Sequence, residues 1–96
     1  MSATKEPTTK ELNALYKAIL ELQSVEECKK FFRDLCTVSE ISAMTERLQI
    51  MKMVNEGVSY RAIAEKTGAS TATITRVAHW LHHGKGGYKL VLERMA

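Results

Sequence analysis

The sequence is poor in the residues that interrupt helices. It has one proline and five glycines in 96 residues, while alanine, leucine, methionine, glutamate and lysine are common, a balance that favours helix throughout. Aromatics make up only 6%, and no apolar run approaches the length of a membrane span. No charged-then-apolar N-terminal segment resembles a signal peptide, so a cytoplasmic protein with no membrane partner is expected. The two cysteines, Cys28 and Cys36, exclude a disulfide-stapled scaffold. On one helix they would lie about 12 Å apart, too far to bridge, so both are expected to be small apolar side chains in a reducing compartment.

Hydrophobic residues nevertheless make up 45% of the chain, which excludes disorder as its general state. A chain of this length cut into short helices buries little core alone, and oligomerisation is the usual remedy. Net charge is only +3, but it is unevenly spread. Residues 1–58 carry 8 Lys/Arg against 9 Asp/Glu, and residues 59–96 carry 6 against 2. The basic excess therefore lies in the C-terminal part, the side expected to meet phosphates.

Residues 1–8 read as a polar, disordered lead into a single domain. Three Ser/Thr-x-x-Glu patterns then mark helix starts at Thr8–Glu11, Ser24–Glu27 and Thr37–Glu40, where hydroxyl and carboxylate can cap reciprocally. Apolar stripes follow each: Leu12, Leu15, Ile19 and Leu22; then Cys28, Phe31, Phe32, Leu35 and Cys36; then Ile41, Met44, Leu48, Met51 and Val54, ending at Gly57 as a C-cap. These stripes are expected to form core or a dimer interface. From Ser59 a short helix holding Ile63 and Ala64 is expected. A turn at 66–69 follows, then a helix opened by Ser70 or Thr71 and running through Ile74, Val77, Ala78 and Leu81. After Gly84, Gly86 and Gly87, a last helix aligns Tyr88, Val91, Leu92 and Met95. The fold class is all-α: six short helices, with a helix-turn-helix over residues 59–83.

The spacing inside 59–83 carries the functional reading. Ala64 fits a close helix crossing, Gly68 a turn position with positive φ, and Ile74 and Val77 the return packing of the second helix. The exposed first turn of that helix offers Ser70, Thr71, Ala72 and Thr73, followed by Thr75. Short hydroxyls and methyls allow close approach to base edges and phosphates, and the free amides of a helix start suit a phosphate. Ser59, Tyr60 and Arg61 open the preceding helix and complete the expected DNA-binding set. Such a motif can also serve as a scaffold, so a protein-interaction module using Trp80 and the neighbouring histidines is the rival reading. Imidazoles at 79, 82 and 83 can share a face, but no Cys, Asp or Glu is near in sequence, so no metal site and no cofactor are expected. Nor is any nucleophile, acid-base pair or phosphate loop arranged for catalysis.

The segment Ala72–Arg76 (ATITR), with the preceding GAS and all of 59–76, resembles the reading head of the Trp repressor family, and Ala43–Gly57 resembles the helix leading into it. The similarity covers about residues 35–83, and the branch it resembles is the set of Trp-repressor-like proteins of Gram-positive bacteria. The resemblance implies an intertwined homodimer acting as a transcriptional repressor on palindromic double-stranded DNA, with Arg61, Thr71, Ala72, Thr73 and Thr75 toward the operator. It also implies an amino-acid effector held by Arg47 and Arg76, with Thr37 near its amino group. Two positions depart from the tryptophan-binding members. Val77 replaces a glycine that lines the indole slot, and Trp80 replaces a small serine. Both substitutions fill space that bound tryptophan needs, which implies another effector (histidine stands as a candidate) or a slot occupied by the chain's own Trp80.

Overall fold

The computed structural model describes residues 5–96, so the part of the expected disordered lead at 1–4 lies outside the described residues. The rest forms six helices in chain order, and no strand occurs among the described residues. These are α1 (Thr9–Leu20), α2 (Val25–Leu35), α3 (Val38–Asn55), α4 (Tyr60–Thr67), α5 (Thr71–His83) and α6 (Gly87–Met95). Two units separate, one ending at Val38 and one running from Ser39 to Ala96.

In the first unit, Thr8 closes a reciprocal capping box on α1. The Glu11 amide donates to Thr8 Oγ1 at 3.1 Å, and the Thr8 amide donates to Glu11 Oε1 at 2.8 Å. The backbone and hydroxyl of Thr8 hold the Glu11 carboxyl below the ordinary glutamate range, because both bonds favour its charged form. The second box is half as expected. Ser24 Oγ accepts from the Glu27 amide at 3.1 Å, but the Glu27 carboxylate takes the amide of Gln23 instead of that of Ser24. Neither α1 nor α2 contains a buried residue. Leu12, Ile19, Leu22, Cys28, Phe31, Phe32 and Cys36 are half-buried, whereas Leu15 and Leu35 stand exposed. Phe31 and Phe32 meet edge to face, with centroids 5.8 Å apart. Both cysteines are free thiols; Cys36 lies beyond α2 in extended backbone as its C-cap.

The second unit holds the buried core. Ile50 and Met51 of α3 pack with Ile63 of α4, Ala69 of the turn, and Ile74, Val77 and Leu81 of α5. Met53, Val54, Val58, Ala64, Tyr88 and Leu92 close around them. The stripe expected along α3 as core or dimer interface divides within this chain. Met51 and Val54 belong to the core, but Met44 and Leu48 are exposed and Ile50 is fully buried instead. Apolar residues surround most of this helix, so periodicity alone does not select the covered side. The stripe on α6 splits in the same way. Tyr88 and Leu92 reach the core while Val91 and Met95 face outward.

Gly57 ends α3 at φ 81°. The Val58 amide donates to the Met53 carbonyl and the Gly57 amide to the Val54 carbonyl, at 3.0 and 3.1 Å. This pair of bonds is the Schellman arrangement, and its apolar partner contact is supplied by Val58 and Met53 on the same core.

Candidate nucleic-acid interface

α4 and α5 with their turn form the helix-turn-helix, and the boundaries at Ser59 and His83 are those expected. Ser59 caps α4, its Oγ accepting from the Ala62 amide at 3.2 Å. α4 ends at Gly68, whose φ of 74° and ψ of 4° are left-handed and whose amide donates to the Ala64 carbonyl at 2.8 Å. Thr67 then locks the turn. Its hydroxyl donates to the Ile63 carbonyl at 2.7 Å and accepts from the Ala69 amide at 3.1 Å. Sequence reasoning placed Thr67 and Ala69 in the turn without assigning the hydroxyl lock or the burial, and did not single out Val58. A hydroxyl residue directly before a helix-ending glycine was the available signal for the first.

Ser70 caps α5. Its Oγ accepts from the Thr73 amide at 3.1 Å and donates to Thr73 Oγ1 at 3.0 Å. The second bond fixes the Thr73 side chain and leaves its own hydroxyl proton available. Thr71, Ala72, Thr75 and Arg76 are exposed and Thr73 is half-buried, while Ile74, Val77, Ala78 and Leu81 hold the opposite side of the helix in the core. In α4, Tyr60 is exposed and Arg61 is almost fully so, paired loosely with Glu65 at 3.8 Å. An exposed pair at that distance contributes little, and the guanidinium is free to exchange Glu65 for a phosphate or a base edge. The structure thus brings Ser59, Tyr60 and Arg61 to the start of α4 and Ser70, Thr71, Ala72, Thr73 and Thr75 to the start of α5. A hydroxyl-rich helix start is suited to contact a polyanion, as is the exposed guanidinium of Arg61 at the start of the other helix.

The residues expected at an effector site are placed differently. Arg47 on α3 and Arg76 on α5 are exposed, and Thr37 lies between α2 and α3, in the first unit. Val77 is 1% exposed and is part of the core, while Trp80 is 51% exposed. The indole leans edge-on against His79, with ring centroids 5.7 Å apart. Among the described residues no three His, Cys, Asp or Glu side chains form a group able to hold a metal, and no helix is long and apolar enough to cross a membrane.

Comparison with known proteins decides the relationship. The family model described as Trp repressor protein matches residues 10–96. This chain belongs to the Trp repressor family. The match extends well beyond residues 35–83, taking in α1, α2 and α6. The family is one of DNA-binding regulators. The uncharacterised protein YerC of Bacillus subtilis is 46% identical over 86 residues, which cover 90% of this chain and 83% of YerC. A TrpR-like protein from Eubacterium eligens, known from its crystal structure, superimposes with a TM-score of 0.87 at 46% identity, covering 91% of this chain and 90% of that one. A second crystal structure, from Staphylococcus aureus, gives the same TM-score and identity over 92% and 88% of the two chains. The six-helix architecture is therefore the Trp-repressor fold.

Proposed function

We propose that this member of the family is a cytoplasmic transcriptional repressor of amino-acid metabolism genes that binds a palindromic DNA site as a homodimer and does not sense tryptophan. The observation that carries DNA reading is the start of α5. There Ser70 spends both its hydrogen-bonding roles on Thr73, while Thr71, Ala72 and Thr75 stay open to a groove. The dimer reading is supported by the uncovered apolar side chains of the first unit, among them Leu20 at 80% exposed and Val25 at 78%. A second copy would cover such surface at about 25 cal/mol per Å² of apolar area removed from water. Independence from tryptophan is supported by Val77, which packs in the core where the tryptophan-binding members have a glycine. Arg47 and Arg76 remain exposed and are suited to a carboxylate from a different amino acid.

The test is to sequence genomic DNA fragments enriched by the purified protein, with and without free amino acids, and then to titrate the best fragment at several salt concentrations. A palindromic consensus is expected, with affinity that falls steeply as salt rises because bound counterions are released. Sedimentation should give a dimer at micromolar protein. A dimer that enriches no fragment at any salt would overturn the DNA-reading proposal and favour the interaction-module reading. A monomer that reads a single half-site would overturn the palindrome and dimer alone.

A further inference from the structure

The C-terminal part of α5 carries three histidines, two of them in its last turn, and the DNA-reading proposal uses none of them. His79 and His83 are four residues apart on one face, with ring centroids 5.2 Å apart and planes inclined by 41°. Both are exposed, on the side of α5 opposite Ile74, Val77, Ala78 and Leu81. His82 meets only the edge of this arrangement, its ring centroid 6.4 Å from that of His83 at an inclination of 67°. From this geometry we infer that His79 and His83 form an open, two-imidazole seat for a divalent transition-metal ion of the nickel, copper and zinc group.

Three physical features support the seat. Metal–imidazole bonds of about 2.0–2.1 Å place the nitrogens of two adjacent ligands roughly 3 Å apart, within reach of two rings that already face each other across one helical turn. The same i, i+4 spacing places two metal-binding imidazoles on one face of a helix in zinc enzymes. The carbonyl end of a helix also favours a cation, and His83 belongs to the final turn of α5 with His79 one turn before it. Gly84 follows directly as the C-cap and brings no side chain across the site. With two protein ligands the ion keeps its remaining positions for water. The order of affinity follows imidazole chemistry, with copper above nickel and zinc. A bound ion would tie the C-terminal turn of the reading helix to the turn before it.

The test uses the full chain with any polyhistidine tag removed, at neutral pH. Trp80 is the chain's single tryptophan, and its ring lies 5.7 Å from that of His79. Copper(II) or nickel(II) chloride should therefore quench its fluorescence saturably with one ion per chain, and zinc chloride should give the same stoichiometry by calorimetry. Loss of outer-shell partners already weakens metal binding by about 10–100-fold, so His79→Asn and His83→Asn should each weaken it by at least tenfold. His82→Asn should change it by less than about twofold by the same reasoning. Circular dichroism of each variant checks that these exposed substitutions leave the helices intact, and zinc should raise the melting temperature of the wild type but not of His83→Asn. Absence of saturable binding at micromolar metal would overturn the inference. Equal weakening by His82→Asn would also overturn it, since that result describes a diffuse histidine cluster rather than a paired seat.

Discussion

Replacing Gly68 with alanine tests whether the reading head depends on one left-handed residue. Gly68 sits at φ 74°, and a Cβ built there meets no atom within 4 Å. The substitution therefore adds no clash and isolates the backbone cost of placing an L-residue in the left-handed region, about 1–2 kcal/mol. For a domain of this size each kcal/mol lowers the melting temperature by roughly 4–8 °C. Asparagine tolerates the same conformation through local hydrogen bonding, so Gly68→Asn should recover about half of the loss. Gly84 provides the contrast. Its φ of −82° suits any residue, but an added Cβ would run into the Trp80 carbonyl oxygen. That is a collision with backbone at the helix end, costing about 1–3 kcal/mol, and asparagine should bring no relief there. Thermal and urea unfolding followed by far-ultraviolet circular dichroism would rank the four variants. Gly68→Ala within about 0.3 kcal/mol of wild type, or Gly68→Asn no better than Gly68→Ala, would refute the conformational argument.

Other consequences can be measured independently. Thr73→Ala and Arg61→Ala should each weaken specific DNA binding by about 1–3 kcal/mol with the helical content kept; unchanged affinity in both, read by fluorescence anisotropy, would remove them from the reading surface. Because the folded-state value of Glu11 is depressed, its contribution is complete above the ordinary glutamate range and is lost as pH falls through the lowered value. Carbon-detected NMR titration should show that depression in the wild type and its disappearance in Thr8→Ala. Ile74→Ala, at a position with no exposed surface, should destabilise the second unit by about 2–5 kcal/mol, against about 0.5–1.5 kcal/mol for Ile74→Val. In a Val77→Gly, Trp80→Ser pair, most of the destabilisation should come from Val77, since half of the indole is already in water.

The helix-turn-helix was legible because its signals are local. Ser59, Gly68 and Ser70 are punctuation whose chemistry acts over three or four residues, and each occupies the cap or turn position expected of it. Gly57 was legible for the same reason. What periodicity could not supply was the choice among several apolar sides. Ile50, fully buried on α3, was missed, and Met44 and Leu48 were expected in a stripe that the second unit leaves exposed. That choice depends on partners distant in sequence, which a 3.6-residue repeat does not encode. The difference between Val77 and Trp80 was hidden likewise. Both read as bulky replacements, yet Val77 is core while Trp80, one turn further along the same helix, stands half in solvent at the margin of the covered stripe.

The double engagement of Ser70 with Thr73 bears on how this protein can change its target. One pair of hydroxyls both holds the start of α5 together and presents that start outward. Drift at position 70 or 73 therefore alters affinity and stability at once, and most replacements lose on both counts. Positions 71, 72 and 75 carry no such obligation in the fold. New binding preferences should arise there first, leaving Ser70 and Thr73 as the fixed frame around which descendants of this protein vary.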